Sequence, residues 1–285
     1  MRSSAVNHER FALVVTFVIL ASLAGCGSPP TRDSAPRSTS VPSRLPGNAV
    51  PREEPRSRYG NGPYYKVYGE TYKVLDSSYG YQERGVASWY GKKFHGRLTS
   101  NREPYDMYAM TAAHTTLPLP TYVRVRNLSN NRSIVVRVND RGPFAHNRII
   151  DLSYSAALKL DMVQSGTALV EVEAISFDEP AGDRPVRQTT TPTPVARTPD
   201  PAPPQIDENR IYLQVGAFGS RDNAENRLAT LRGARIPSAS VVEDTAANPT
   251  LYRVRIGPIR GVEQYDIIVE ELQKLGISKP YLINE

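Results

Sequence analysis

Two carboxylates stand out by their settings. Asp140 follows the run Arg132-Ser133-Ile134-Val135-Val136-Arg137-Val138, whose β-branched density reads as a buried strand, so a carboxyl there projects from a rigid edge. Gly142-Pro143 close behind it fixes a tight backbone that would hold the acid still. Glu103 lies in a loop 37 residues earlier and reaches Asp140 only if the chain closes on itself. Two carboxylates in one cleft push their pKa values apart, leaving one protonated near neutrality and one charged, as general acid and base chemistry requires. The plainer reading, an aspartate capping its own turn with Arg141 as ion-pair partner, stays open on these residues alone. His114, in Ala112-Ala113-His114, is by residue type a structural hydrogen-bonder. With His95 and His146 it lacks metal-ligand spacing, so no metal is expected.

The elements that must position these groups read as β-structure. Short apolar runs at 85–90, 122–127, 133–139 and 168–177 are separated by turn residues, with Asn130-Asn131 as a hairpin turn. One short helix is expected over 153–159, with Ser153 as N-cap. Many short strands and one small helix argue for a closed barrel. Seven of the 16 tyrosines fall between Tyr59 and Tyr81, in alternations that suit short extended segments packed on a barrel's outside. Sugar stacking by these rings stays open.

Composition bounds the rest. Fifteen of the 24 prolines fall in 27–58 and 179–209, stretches poor in large apolar residues that cannot offset their ordering entropy and read as disordered tethers. They leave a barrel block, 59–178, and a smaller block, 210–285, each long enough for a modest core. Residues 1–25 carry two arginines and then an apolar run too short for a comfortable membrane span, which reads as a secretory leader. It ends Leu23-Ala24-Gly25-Cys26, similar to the bacterial lipobox, which implies lipidation of Cys26 and a tether over 26–58. Gly27 in place of aspartate favours the outer membrane. The single cysteine excludes an intramolecular disulfide framework and a cysteine-rich zinc site. Without the leader, 33 basic against 28 acidic residues leave a charge of +5, suited to anionic wall polymer or lipid. Nucleic acid is not expected, because the compartment is wrong and most of the arginine excess lies in tethers.

The clusters Gly85-Val86-Ala87-Ser88-Trp89-Tyr90-Gly91, Phe94-His95-Gly96, Glu103-Pro104-Tyr105-Asp106, Thr111-Ala112-Ala113-His114 and Val138-Asn139-Asp140-Arg141-Gly142-Pro143-Phe144, with Arg148-Ile149-Ile150-Asp151-Leu152-Ser153, occur in one order. They resemble the rare lipoprotein A (RlpA) family of periplasmic lipoproteins, a double-psi β-barrel family with lytic transglycosylases among its members. The resemblance implies cleavage of a β-1,4 glycosidic bond in peptidoglycan, with a 1,6-anhydro end formed by the muramyl 6-hydroxyl. By that resemblance Asp140 is general acid and then base, Glu103 is the ionised partner, and His114 is a cleft residue. Trp89, Tyr90 and Arg141 become candidate sugar contacts, Trp89 and Tyr90 being equally suited to the core. No cofactor is implied. One departure matters: the family has a small residue and then glycine before the glutamate, and here Arg102 stands in the glycine's place. If the position needs positive φ, a side chain costs about 1 kcal/mol or more. A guanidinium there would also hold Glu103 ionised.

Residues 210–285 read as strand, helix, strand, strand, helix, strand, an α+β arrangement. Ile211, Leu213 and Val215 alternate with Tyr212, Gln214 and Gly216, and Tyr265, Ile268, Val269, Leu272 and Leu275 keep helical spacing up to Gly276. Tyr212-Leu213-Gln214-Val215-Gly216-Ala217-Phe218 with Tyr252-Arg253-Val254-Arg255-Ile256-Gly257-Pro258 is similar to the SPOR domain, which implies binding of peptidoglycan lacking stem peptides at the division septum. Gln214, Phe218 and Arg255 are its candidate glycan contacts, with Tyr212 beside them. Two functions follow as expectations: a lipid-anchored septal lytic transglycosylase of peptide-free strands, or a wall-binding septal lipoprotein that keeps the barrel without the catalysis.

Overall fold

The protein is described by a computed structural model, which covers residues 45–177, 210–278 and 280–284. The leader, Cys26 and the second proline-rich linker lie outside the described residues.

Six strands close into the barrel expected from the sequence, in the order β3 (Gln82–Tyr90), β7 (Arg148–Ser153), β4 (Thr111–His114), β6 (Ser133–Asp140), β5 (Thr121–Asn127), β8 (Ala168–Ile175). β3 runs parallel to β7 and β4 parallel to β6, while the other neighbours are antiparallel. β3 and β4 are not neighbours, because β7 lies between them in the barrel, and the chain makes a long excursion from one to the other on which Glu103 rides. Both parallel pairs carry a register shift. In one of them Ala112 faces Val138 but Ala113 faces Asp140, so a bulge re-aims the end of β6 where the candidate acid stands. The interior is filled by Val123, Val125, Val136, Val138, Ile150, Leu152 and Val170, all fully buried. Helix α1 (Tyr154–Lys159) follows β7, and its N-cap Ser153 accepts a hydrogen bond from the Ala156 amide.

The tyrosine-rich stretch forms a separate hairpin, β1 (Tyr64–Val67) with β2 (Glu70–Lys73). Tyr65 stacks on Tyr72 at 5.2 Å between centroids, and Phe144 meets both rings edge-on. The chain before it departs from expectation. Residues 45–58, assigned by composition to the flexible tether, have no regular secondary structure but lie along the barrel. The Ala49 amide donates to Val135 O at 3.0 Å and the Ser57 amide to Leu119 O at 2.8 Å.

The second block is a four-stranded antiparallel sheet in the order β10 (Ala239–Asp244), β11 (Leu251–Ile259), β9 (Ile211–Phe218), β12 (Tyr281–Asn284). Helices α2 (Arg221–Gly233) and α3 (Val262–Lys274) place Ala224, Leu228, Leu231, Tyr265, Ile268, Val269 and Leu272 in the core with Ile211, Leu213, Val254 and Ile256. Gly276 follows α3 at φ +71°, the left-handed stop the sequence called for. β9 and β11 are central and pair Gln214 with Arg255.

One side chain ties the hairpin region to the barrel. Asn61 donates to Ser57 O and Leu119 O at 2.9 and 2.7 Å, and its Oδ1 accepts from the Leu119 amide at 2.8 Å. Asn61→Ala strands these groups around fully buried Leu119 and is expected to cost roughly 2–3 kcal/mol, read as a lowered urea midpoint.

Candidate active site

The turn 99–103 is fastened to the end of β6 at two points. The Ser100 amide and hydroxyl each donate to Asp140 Oδ1 at 2.7 Å, and the Arg141 amide adds a third bond of 2.7 Å to the same oxygen. Among the described residues, Oδ2 of Asp140 has no hydrogen-bond partner. Three residues further along the turn, Glu103 Oε2 accepts from Asn139 Nδ2 at 2.8 Å and from Arg137 Nη1 at 2.7 Å. The two acids, remote in sequence, thus hang from one turn and one strand end. Burial works against ionising Glu103, but the Arg137 guanidinium and the Asn139 amide outweigh it and hold the carboxyl below its ordinary range.

The turn keeps its shape with Arg102 in it. The Arg102 amide donates to Thr99 O at 2.9 Å and the Thr99 amide to Glu103 O at 2.8 Å. Arg102 sits at φ +72°, the left-handed conformation anticipated at this position. Its guanidinium lies over the Tyr59 ring at 5.5 Å, and the cation that holds Glu103 is Arg137 instead. That corrects the role the sequence suggested for Arg102.

Other candidates lie elsewhere. His114 is 1% exposed and touches neither acid. Its Nδ1 accepts from the amides of Thr116 and Leu117 at 3.2 and 3.1 Å, so Nε2 carries the proton and donates to the Tyr81 hydroxyl at 2.8 Å. The Tyr81 hydroxyl in turn donates to Glu83. Burial, helped by the charge of Arg141, pushes His114 down to about 3. It is a neutral structural hydrogen-bonder, the role its residue type suggested before the family resemblance. Tyr90 is buried and stacked on Tyr105 at 4.1 Å, and Trp89 packs on Tyr154 at 5.6 Å, so both rings serve the interior. Arg141 spends its guanidinium on backbone oxygens: Gly60 at 2.8 Å, Leu117 at 2.6 Å and His114 at 3.1 Å. It staples three loops together, which leaves Asp140 without the ion-pair partner of the plainer reading. A groove of about 320 Å³ adjoins Ser100 and Arg141, walled by Tyr65, Val67 and Phe144.

Residue reading missed Ser100, Arg137, Asn139 and Glu54. The signal for Arg137 was present, since a lone cation interrupts a run of β-branched residues and needs a carboxylate there. It has two, Glu103 and Glu54.

On the sheet, Gln214 and Arg255 sit opposite each other on the face away from the helices. Phe218 does not join them. A register shift between Val254 and Arg255 sets it against Tyr252 and over Gly216, with Arg227 of α2 at 5.8 Å from its ring. Arg253 is bound to Asp244 at 2.6 Å.

Family comparisons agree with this division of the chain. A profile described as "Lytic transglycolase" matches residues 82–172, and one described as "SPOR domain" matches residues 207–284. A Pseudomonas aeruginosa protein named "Endolytic peptidoglycan transglycosylase RlpA" is 38% identical over 92% of this chain and 88% of its own length. A Vibrio cholerae protein of the same name is 40% identical over 96% of this chain and 97% of its own. One from Campylobacter jejuni is 55% identical over 40% of this chain and 41% of its own.

The neutral histidine has a pH consequence. Unfolded, His114 protonates near 6.5; folded, it stays neutral down to about 3. The unfolded chain therefore binds more protons between those values, and this part of the stability is present above pH 6.5 and lost as pH falls towards 3. The unfolding free energy read from urea titrations should decline over that interval, by up to about 1.4 kcal/mol per pH unit from this group, and His114→Gln should flatten the decline.

Proposed function

The chain belongs to the rare lipoprotein A (RlpA) family, and from that membership we propose that it is a lytic transglycosylase cleaving the β-1,4 bond between N-acetylmuramic acid and N-acetylglucosamine in peptidoglycan. The observation that carries the reading is the pair of differently held acids: Asp140, with one oxygen fixed by three donors and the other free, beside Glu103, kept ionised by Arg137 and Asn139. Asp140 donates the proton from Oδ2 to the leaving glycosidic oxygen while the ionised Glu103 stabilises positive charge developing on the sugar. The muramyl 6-hydroxyl then attacks C1 and returns its proton to Asp140, so the acid is regenerated and no water is consumed. Fixing Oδ1 keeps the reactive oxygen in one direction through both steps.

The same reading extends along the chain. Cys26 carries the lipid anchor, with the outer membrane as its site. The second block binds peptide-free glycan at the division septum through Gln214 and Arg255. Tethering raises the local concentration of strands at the barrel.

Incubation with stripped glycan strands, followed by mass spectrometry, should yield 1,6-anhydro ends. Intact strands with binding retained would leave the wall-binding alternative. Asp140→Asn keeps an acceptor for Ser100 but removes the proton, and is expected to lower cleavage by about 10²–10⁴-fold at unchanged thermal stability. Arg255→Ala should weaken binding to peptide-free glycan by about tenfold in a sedimentation assay.

A further inference from the structure

Glu54 belongs to none of the motifs that carry the family resemblance. It sits on the extended segment before the hairpin, and one guanidinium engages both of its oxygens. Arg137 Nε donates to Oε1 at 3.0 Å and Nη2 to Oε2 at 2.8 Å. A guanidinium is planar and rigid, so gripping its Nε–Nη2 edge fixes where the remaining nitrogen points. That nitrogen, Nη1, donates to Glu103 at 2.7 Å. Glu54 is itself braced. The Tyr122 hydroxyl donates to its Oε1 at 2.5 Å and Arg52 Nε does so at 3.1 Å. The segment is pinned on either side through Ala49 and Ser57.

We infer that Glu54 is a positioning residue for Glu103, orienting Arg137 so that its guanidinium meets that carboxylate from one fixed direction. The claim rests on the reading of Glu103 as the ionised partner of Asp140. The ion pair between Glu54 and Arg137 is well shielded, at 16% and 17% side-chain exposure, whereas Glu103 is 41% exposed. The grip therefore lies on the inner side of the guanidinium and its free end faces the open site. The Arg137 bond holds Glu54 down to about 2, so the grip stays ionised across the neutral range.

Two effects of opposite sign separate positioning from mere charge. Deleting the negative charge of Glu54 would, by itself, make Glu103 easier to ionise, because a like charge has gone. Loss of the Arg137 orientation removes a charge-assisted bond from Glu103 and makes it harder to ionise. In the full chain carrying Glu54→Gln, the Glu103 carboxyl carbon can be followed by NMR through a pH titration. Its midpoint is expected to rise by roughly 0.5–1 pH unit, and kcat to fall about tenfold with KM little changed. A midpoint that falls or stays in place overturns the inference. Glu171→Gln breaks a comparably shielded ion pair, with Arg84 and Arg126, that touches neither Glu54 nor Arg137 and should leave the midpoint where it is; a rise there would assign the effect to general loosening and overturn the inference too. Should the glutamine variant fail to fold, Glu54→Asp draws the carboxylate back from the guanidinium, and a rise is again expected, its absence again decisive. The titration needs no turnover, so a chain that cleaves no glycan refutes the enzymatic reading without touching this result.

Discussion

The site depends on one fastening: the turn at 99–103 bound to the end of β6. Two side chains of the turn, Ser100 and Glu103, meet three consecutive positions at the strand end: Glu103 accepts from Asn139, and the Ser100 hydroxyl donates to Asp140 and accepts from the Arg141 amide. Arg137, on the same strand, adds its bond to Glu103; separate all of these and the acids, 37 residues apart in the chain, part. The bulge in the pairing of β4 with β6 makes the fastening possible, because strict alternation would send Asn139 and Asp140 to opposite faces of the strand. The barrel serves the chemistry by setting the end of one strand against the middle of one loop.

Much of this was legible in the chain itself. The β-branched run ending in Asn139-Asp140-Arg141-Gly142 marked the strand and the rigid acid, and Gly142 adopts φ +134°, a conformation glycine tolerates best. The left-handed conformation of Arg102 matches the positive φ that the family resemblance raised for this position, where it implies a glycine. Partners were what the sequence concealed. Arg141 reads as a sugar contact until the carbonyls it binds are in place, and His114 reads as a cleft residue until Tyr81 arrives from the segment just before β3. Composition was misleading for the stretch around Glu54. Its proline and arginine content resembles a tether, but Ala49, Glu54 and the Ser57 amide bond to groups more than sixty residues away, which no local pattern records.

The smaller sheet shows the same division between local and distant information. Alternation along β9 correctly separates Ile211, Leu213 and Val215 from Tyr212 and Gln214. It fails at Phe218 because the bulge intervenes, and the ring turns to the helix side over Gly216, whose missing side chain leaves it room.

β4 is only four residues long, whereas β6 has eight, and their pairing begins at Arg137. Among the described residues, the first half of β6 therefore has no strand beside it on that flank, and the amide of Ala49 occupies part of the gap by binding Val135 O. A barrel excised at the boundary that composition recommends would carry a bare backbone margin there, open to the edge-to-edge association by which exposed strands recruit one another. The segment before the hairpin thus also acts as a selvedge, keeping an incompletely paired sheet from unravelling into its neighbours.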